Sequence, residues 1–122
     1  MKAIDSSAFV ASALGEKGWE IAKADIDTGI MSLVNVAETV SVLMRKGFSY
    51  EDAVDAIETS ELKFQTPTLA DAYEAARIVQ TPGLSLGDSF CLALAKSLNT
   101  TAVTADRMWA ELNHGVAVEL IR

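Results

Sequence analysis

One cysteine, Cys91, leaves no partner for an internal disulfide and suits a reducing compartment. With a single histidine, His114, it also excludes a zinc site of the usual His/Cys kind. No apolar run approaches the roughly 18 residues a membrane-crossing helix needs, so no membrane partner is expected. The start, Met1-Lys2-Ala3-Ile4-Asp5, brings an acid too early for a secretory leader, and a cytoplasmic location is expected. Proline is scarce, at two residues, and no Pro/Gly-rich linker, repeat or low-complexity segment divides the chain. Residues 1–122 are therefore expected to form one domain, half of it apolar, which is enough for a core without staples. Bases are also few: 10 against 17 acids, a net charge of −7. That balance excludes a protein that holds nucleic acid by bulk electrostatics. The exception is a protein whose acids bind metal, because a bound dication reverses the local sign of the field. Where the acids lie thus matters more than how many there are.

Short apolar runs of strand length alternate with amphipathic stretches of helix length. Strands are expected at 2–5, 28–31, 62–65, 101–104 and 116–121. Helices are expected at 7–14, 16–24, 33–46, 49–58, 68–79 and 85–98, with a short one at 107–112. Ser32, Ser49, Thr68 and Ser85 are the expected N-caps, and Gly15 and Gly47 the stops. Alternation of this kind predicts an α/β fold whose short, mainly parallel five-stranded sheet is covered on both faces. Sites in such sheets form outside the carboxyl ends of the strands.

Four acids fall there. Asp5 follows the first strand and Asp106 the fourth, and either could simply cap a helix. Asp88 ends a Ser-x-x-Asp capping box at Ser85, a pattern repeated at Ser49/Asp52 and Thr68/Asp71. Its helical neighbours set Asp88 apart. Cys91, Leu92 and Ala95 form an apolar stripe, whereas Asp52 faces Asp55 and Thr59, and Asp71 faces Glu74 and Ile78. A carboxylate heading an apolar stripe is costly unless something pairs with it, so Asp88 is assigned to a site and the other two to caps. Glu38 lies off the expected core stripe of Leu33, Val36/Ala37, Val40 and Leu43/Met44. Periodicity alone leaves open a surface pairing of Glu38 with Arg45 or Arg77.

The combination decides the matter. Asp5, Glu38, Asp88 and Asp106 are all expected at strand ends or in the early turns of the next helix. Like charges gathered there need a counter-charge, and no base lies within two positions of Asp5, Glu38 or Asp88. Oxygen-only ligands of this charge suit Mg2+ or Mn2+, and such a site suits phosphoryl chemistry. Arg107, Arg45 and Lys46 are candidate phosphate contacts. His114 is read as a surface or packing residue. Trp19, Trp109, Phe9, Phe64 and Tyr73 are read as core or interface, and residues 9–14 as core or a binding face.

These residues also carry a family resemblance. Ile4-Asp5-Ser6-Ser7-Ala8 resembles the opening of PIN domains, and Val34-Asn35-Val36-Ala37-Glu38 their second acidic motif. The run from Leu84 to Ala95, with Leu86-Gly87-Asp88 at its centre, is similar to the third motif of VapC-type toxins. Val103-Thr104-Ala105-Asp106 resembles the fourth. The resemblance implies a three-layer α/β/α PIN-like fold and Mg2+- or Mn2+-dependent cleavage of RNA. It implies that Asp5, Glu38, Asp88 and Asp106 bind the metal, with Ser7 and Thr104 supporting them. It also implies a homodimer held inactive by a VapB-type antitoxin. Two other readings stand beside it. One is a non-catalytic interaction module. The other is an aspartyl-phosphate phosphatase or receiver, which would want a lysine near a late strand.

Overall fold

Each strand of the sheet sends its alternate side chains to opposite faces, and two separate cores result. The computed structural model describes residues 1–122. It contains β1 (Ala3–Ile4), α1 (Ser6–Leu14), α2 (Trp19–Ile26), β2 (Ile30–Ser32), α3 (Leu33–Arg45) and α4 (Tyr50–Glu58). After these come β3 (Lys63–Gln65), α5 (Leu69–Ile78), α6 (Leu86–Ser97), β4 (Ala102–Thr104), a 3-10 turn at Arg107–Ala110, and β5 (Val118–Leu120). Ala3, Ile30 and Ala102 face one way, onto α5, α6 and Trp109. Ile4, Met31 and Val103 face the other way, onto α1 to α4. This is the period of two that any strand imposes, and it yields the three-layer α/β/α arrangement expected from the sequence.

The sheet order is β3-β2-β1-β4-β5, and every pair is parallel. The chain runs outward from β1 through β2 to β3, then returns to the other side of β1 with β4. The order therefore reverses between β1 and β4, and a crevice opens at their carboxyl ends. Asp5 follows β1 there, and Thr104 ends β4. The central helix of the second layer, α6, buries Cys91, Leu92, Leu94 and Ala95. A fully buried leucine contributes roughly 1.5–3 kcal/mol, so α6 is anchored by its body while its first turn meets the crevice.

The expected caps form: Ser32, Ser49, Thr68 and Ser85 each accept a backbone N–H of the first turn. The second helix starts at Trp19 rather than residue 16. Gly18 lies in the left-handed region (φ 89°), and a Cβ there would overlap the backbone of Ile121. The helix can begin only after that close approach. The inward face of α3 also differs from expectation. It buries Asn35, Thr39 and Leu43, whereas Leu33 and Met44 are exposed. Apolar counting missed this stripe because two of its three members are polar. Thr39 Oγ1 donates to the Asn35 carbonyl (2.7 Å), and Asn35 Nδ2 donates across to the Gly87 carbonyl (3.0 Å), while Asn35 Oδ1 is buried without a hydrogen-bond partner.

Phe9 and Trp109 belong to the core, whereas Trp19, Phe64 and Tyr73 are exposed. Of residues 9–14, Phe9, Val10 and Ala11 are buried, so the early part of that run is core. His114 pins a turn: Nδ1 accepts from the Val116 N–H (3.2 Å), which leaves Nε2 to donate to the Trp109 carbonyl (2.7 Å). Both ring nitrogens are thereby used in packing.

Candidate metal centre

Asp5 is 3 % exposed and sits where a helix N-cap would, yet its side chain caps nothing. Its Oδ2 instead accepts from Ser7 Oγ (2.6 Å) and Thr104 Oγ1 (2.9 Å). Those hydroxyls lie 3.1 Å apart, and Ser7 Oγ also accepts from the Ala105 N–H (2.9 Å). The start of α1 and the end of β4 are thus tied together around one carboxylate oxygen. The other oxygen, Oδ1, is buried and has no hydrogen-bond partner.

Glu38 projects from α3 beside it. Its Oε1 accepts from Asn35 Nδ2 (2.7 Å) and, more weakly, from Ser6 Oγ (3.4 Å). The carboxylate lies over the Cα of Gly87, where any Cβ would overlap it. That contact explains the glycine of the Leu-Gly-Asp run: α6 can bring Asp88 into the crevice only if the residue before it has no side chain. Asp88 completes a capping box with Ser85, its Oδ2 accepting from the Ser85 N–H (2.9 Å). Asp106 uses Oδ1 to accept from the Met108 N–H (3.0 Å), and its own N–H donates to Thr104 Oγ1 (3.1 Å).

Capping by Asp88 and Asp106 therefore engages only one carboxylate oxygen of each. All four acids share one design, in which the protein holds one oxygen and leaves the other without a hydrogen bond. Asp71 shows the contrast. It forms the same capping box, with Thr68, but shares no hydrogen-bond partner with any of the four acids. Asp52 receives only half of that arrangement, since its backbone donates to Ser49 and its carboxylate does not reach back.

Burial pushes the Asp5 carboxyl up to about 6; Ser7 and Thr104 oppose the rise, while Asp88 and Glu38 add to it. Burial, and then the charges of Asp5, Asp88 and Glu38, also hold the Cys91 thiol well above its usual range. Glu38 and Asp88 thus stand close enough to act on Asp5 and Cys91. Asp106 is not among the charges acting on Asp5; it joins through Thr104. Neither Arg45 nor Arg77 pairs with Glu38: Arg45 turns to Ser41 Oγ (2.8 Å), and the protein's ion pairs lie elsewhere. Arg107 is exposed beside Asp106, and Lys46 lines a groove that reaches Ser6 and Ser7.

As placed, no three acidic, histidine or cysteine groups converge enough to enclose an ion. What fits a hard dication is the donor set, oxygen throughout, together with the orphaned Oδ1 of Asp5. Sequence reasoning missed Asn35 and Ser6 as orienting groups. The only signal in the sequence was an amide three residues before Glu38, one turn away on the same helix, and its complete burial appears only in the fold.

The PIN domain family model matches residues 2–115. Comparison with curated proteins gives no match. Among solved structures the fold is similar to VapC20 of Mycobacterium tuberculosis, described as a sarcin–ricin loop cleaving toxin. That match has a TM-score of 0.69 at 16% identity, over 91% of this chain and 95% of that one. FitAcB from Neisseria gonorrhoeae gives 0.70 at 19% identity, over 99% and 98%. VapBC2 from Rickettsia felis, bound to a DNA fragment from its promoter, gives 0.71 at 15% identity, over 96% of each chain.

Proposed function

This chain belongs to the PIN-domain family, and from that premise we propose that it is a Mg2+- or Mn2+-dependent endoribonuclease of the VapC toxin type. The observation that carries the reading is the state of the four acids. Asp5, Glu38, Asp88 and Asp106 are each fixed through one oxygen and free at the other, and no base neutralises them. These four are the proposed metal ligands. The bound ion supplies an activated water near neutral pH and stabilises charge at phosphorus.

The protein's part is orientation. Ser7 and Thr104 hold Asp5 by one edge, so that its buried Oδ1 is presented without a search among rotamers. Asn35 does the same for Glu38, and through the Gly87 carbonyl it locks α3 to the first turn of α6. The capping box with Ser85 fixes Asp88, and the N-cap bond to the Met108 N–H fixes Asp106, at no further cost, because helix starts need such acceptors anyway. The buried lower part of the crevice keeps bulk water from the Asp5 carboxylate.

RNA as the substrate follows from the family resemblance and from what is said of the M. tuberculosis toxin. A VapB-type antitoxin follows in the same way from the R. felis complex, and a homodimer and a cytoplasmic location from the resemblance alone. An aspartyl-phosphate route finds no support. The partners of Asp5 are hydroxyls, and Lys96 is occupied by Glu74 near the far end of α6.

The test is cleavage of total cellular RNA by purified protein freed of any antitoxin, in Mg2+, Mn2+ or EDTA, beside Asp5→Asn and Asp88→Asn. Cutting that needs metal and disappears in both variants is expected. Cutting that persists in EDTA, or in either variant, would refute the reading.

A further inference from the structure

The four acids occupy only part of the surface above the strand ends. Beside them lies a groove of about 240 Å3, walled by Ser6, Ser7, Glu16, Lys46 and Arg122 among others. It shares its two serines with the acidic site, where Ser7 holds Asp5 and Ser6 reaches Glu38. Lys46, the residue that ends α3, is exposed and has no carboxylate partner. Arg122 donates from Nη1 to the Lys17 carbonyl (3.2 Å), and the same nitrogen stands 3.5 Å from Glu16 Oε1. Ser6 opens α1, a helix of nine residues whose N-terminus has no side-chain cap. The first N–H groups of a helix have no partner within it and carry partial positive charge.

Two bases, an uncapped helix start and a single acid make this groove the reverse of its neighbour. One end of a short path is built for a cation, the other for an anion. In a chain of net charge −7 two bases line this one groove beside the site, Lys46 without a carboxylate partner and Arg122 paired with Glu16. We propose that the groove binds a backbone phosphate of the RNA next to the one that is cut, with Lys46 and Arg122 as its ligands. The proposal rests on the nuclease reading for the identity of the polymer. Glu16 holds Arg122 while no phosphate is present and gives it up when one arrives. Arg122 is thus a substrate ligand that sequence reasoning did not find. It lies 76 positions from Lys46 in the sequence, and only the fold brings them to one groove.

Binding separates this claim from cutting. In an Asp5→Asn background, a labelled single-stranded oligoribonucleotide is titrated in Mn2+ over a range of salt, and affinity is read by fluorescence anisotropy. Removing one phosphate contact from a single strand lowers the slope of log K against log salt by about 0.7. K46Q/R122Q is expected to show that loss, and Lys96→Gln, at the far end of α6, is expected to show none. Glu16→Gln is expected to tighten binding, an effect that a merely structural Arg122–Glu16 pair would not produce. No measurable binding by the parent, a double variant that matches the Lys96→Gln control, or Glu16→Gln binding no tighter would each overturn the proposal. If wild type cuts RNA while these variants bind unchanged, the groove fails and the nuclease stands. If the variants behave as expected but wild type cuts nothing, the groove stands and the nuclease fails.

Discussion

The two ends of β1 each gather carboxylates that are at least partly buried, and they answer their charge differently. At the amino end, Lys2 Nζ reaches Asp25 (3.2 Å) and Glu119 (2.9 Å). Hydrogen bonds to Glu119 and then Asp25 raise the lysine's pKa, and Glu119 is held below the usual range by its bonds to Asp25 and Lys2. At the carboxyl end, the charges of Asp88 and Glu38 act on Asp5, and no lysine or arginine pairs with any of the three. One strand thus shows both solutions. Where the cluster is structural, the chain supplies its own cation. Where it is not, the acids are held by hydroxyls, an amide and backbone N–H groups, none of which cancels a charge. On the reading proposed here, a cation from solution answers them.

The largest effect that would break this contrast is on activity. Removing a group that merely orients a metal ligand typically costs 10–100-fold. Asp5→Asn and Asp88→Asn should therefore lower RNA cutting by more than roughly 100-fold, and Ser7→Ala or Thr104→Ala by roughly 10–100-fold, with metal affinity falling alongside. Single-turnover cleavage at several Mn2+ concentrations separates the two. A serine variant as inactive as Asp5→Asn at saturating metal would make Ser7 more than a support.

Next in size is a stability effect of unusual sign. Folding raises the Asp5 pKa from an ordinary 3.8 to about 6, so the native state binds that proton more tightly than the unfolded chain does. The associated stability is complete below pH 3.8 and lost as pH rises through 6. At pH 7 the metal-free protein is therefore short of roughly 3 kcal/mol at this one buried group. Asp5→Asn should recover much of that in EDTA at pH 7, and the gain should shrink toward pH 4. Denaturant melts at the two pH values check it. The same substitution that abolishes cutting should strengthen the fold, which is the mark of a group kept for function.

Gly87→Ala should cost roughly 1–3 kcal/mol and reduce cutting, because its Cβ must displace the Glu38 carboxylate. A combined Gly87→Ala, Glu38→Ala variant should regain stability without regaining activity. The smallest effect lies at the other end of the strand. Lys2→Met should destabilise by at most about 1 kcal/mol, since the lysine is 40% exposed and screened, and should leave cutting unchanged.

Much of this was legible beforehand, and the misses have a common cause. The strands, the caps at Ser32, Ser49, Thr68 and Ser85, and the position of Asp88 at the head of a buried stripe all follow from local pattern. The sheet order does not, because nothing local says that β4 returns to the far side of β1. The inward face of α3 was misread because buried polar residues look like surface until their partners are known. Asn35 finds one partner in Glu38 nearby and the other in Gly87, 52 residues away. For the same reason the sequence could flag Gly87 without explaining it. A glycine required by a side chain from another helix leaves no mark in its own neighbourhood.

The central claim is that the carboxyl end of the sheet is short of one cation and accepts it from solution. Its most direct test is the thermal melting of EDTA-treated protein at pH 7, with and without Mn2+, for wild type and Asp5→Asn. A ligand that binds only the folded state raises its melting temperature with concentration. The predicted result is a dose-dependent rise for wild type and little or none for Asp5→Asn, with the variant the more stable of the two when metal is absent. Equal responses in both proteins, or no response in wild type at millimolar Mn2+, would contradict it.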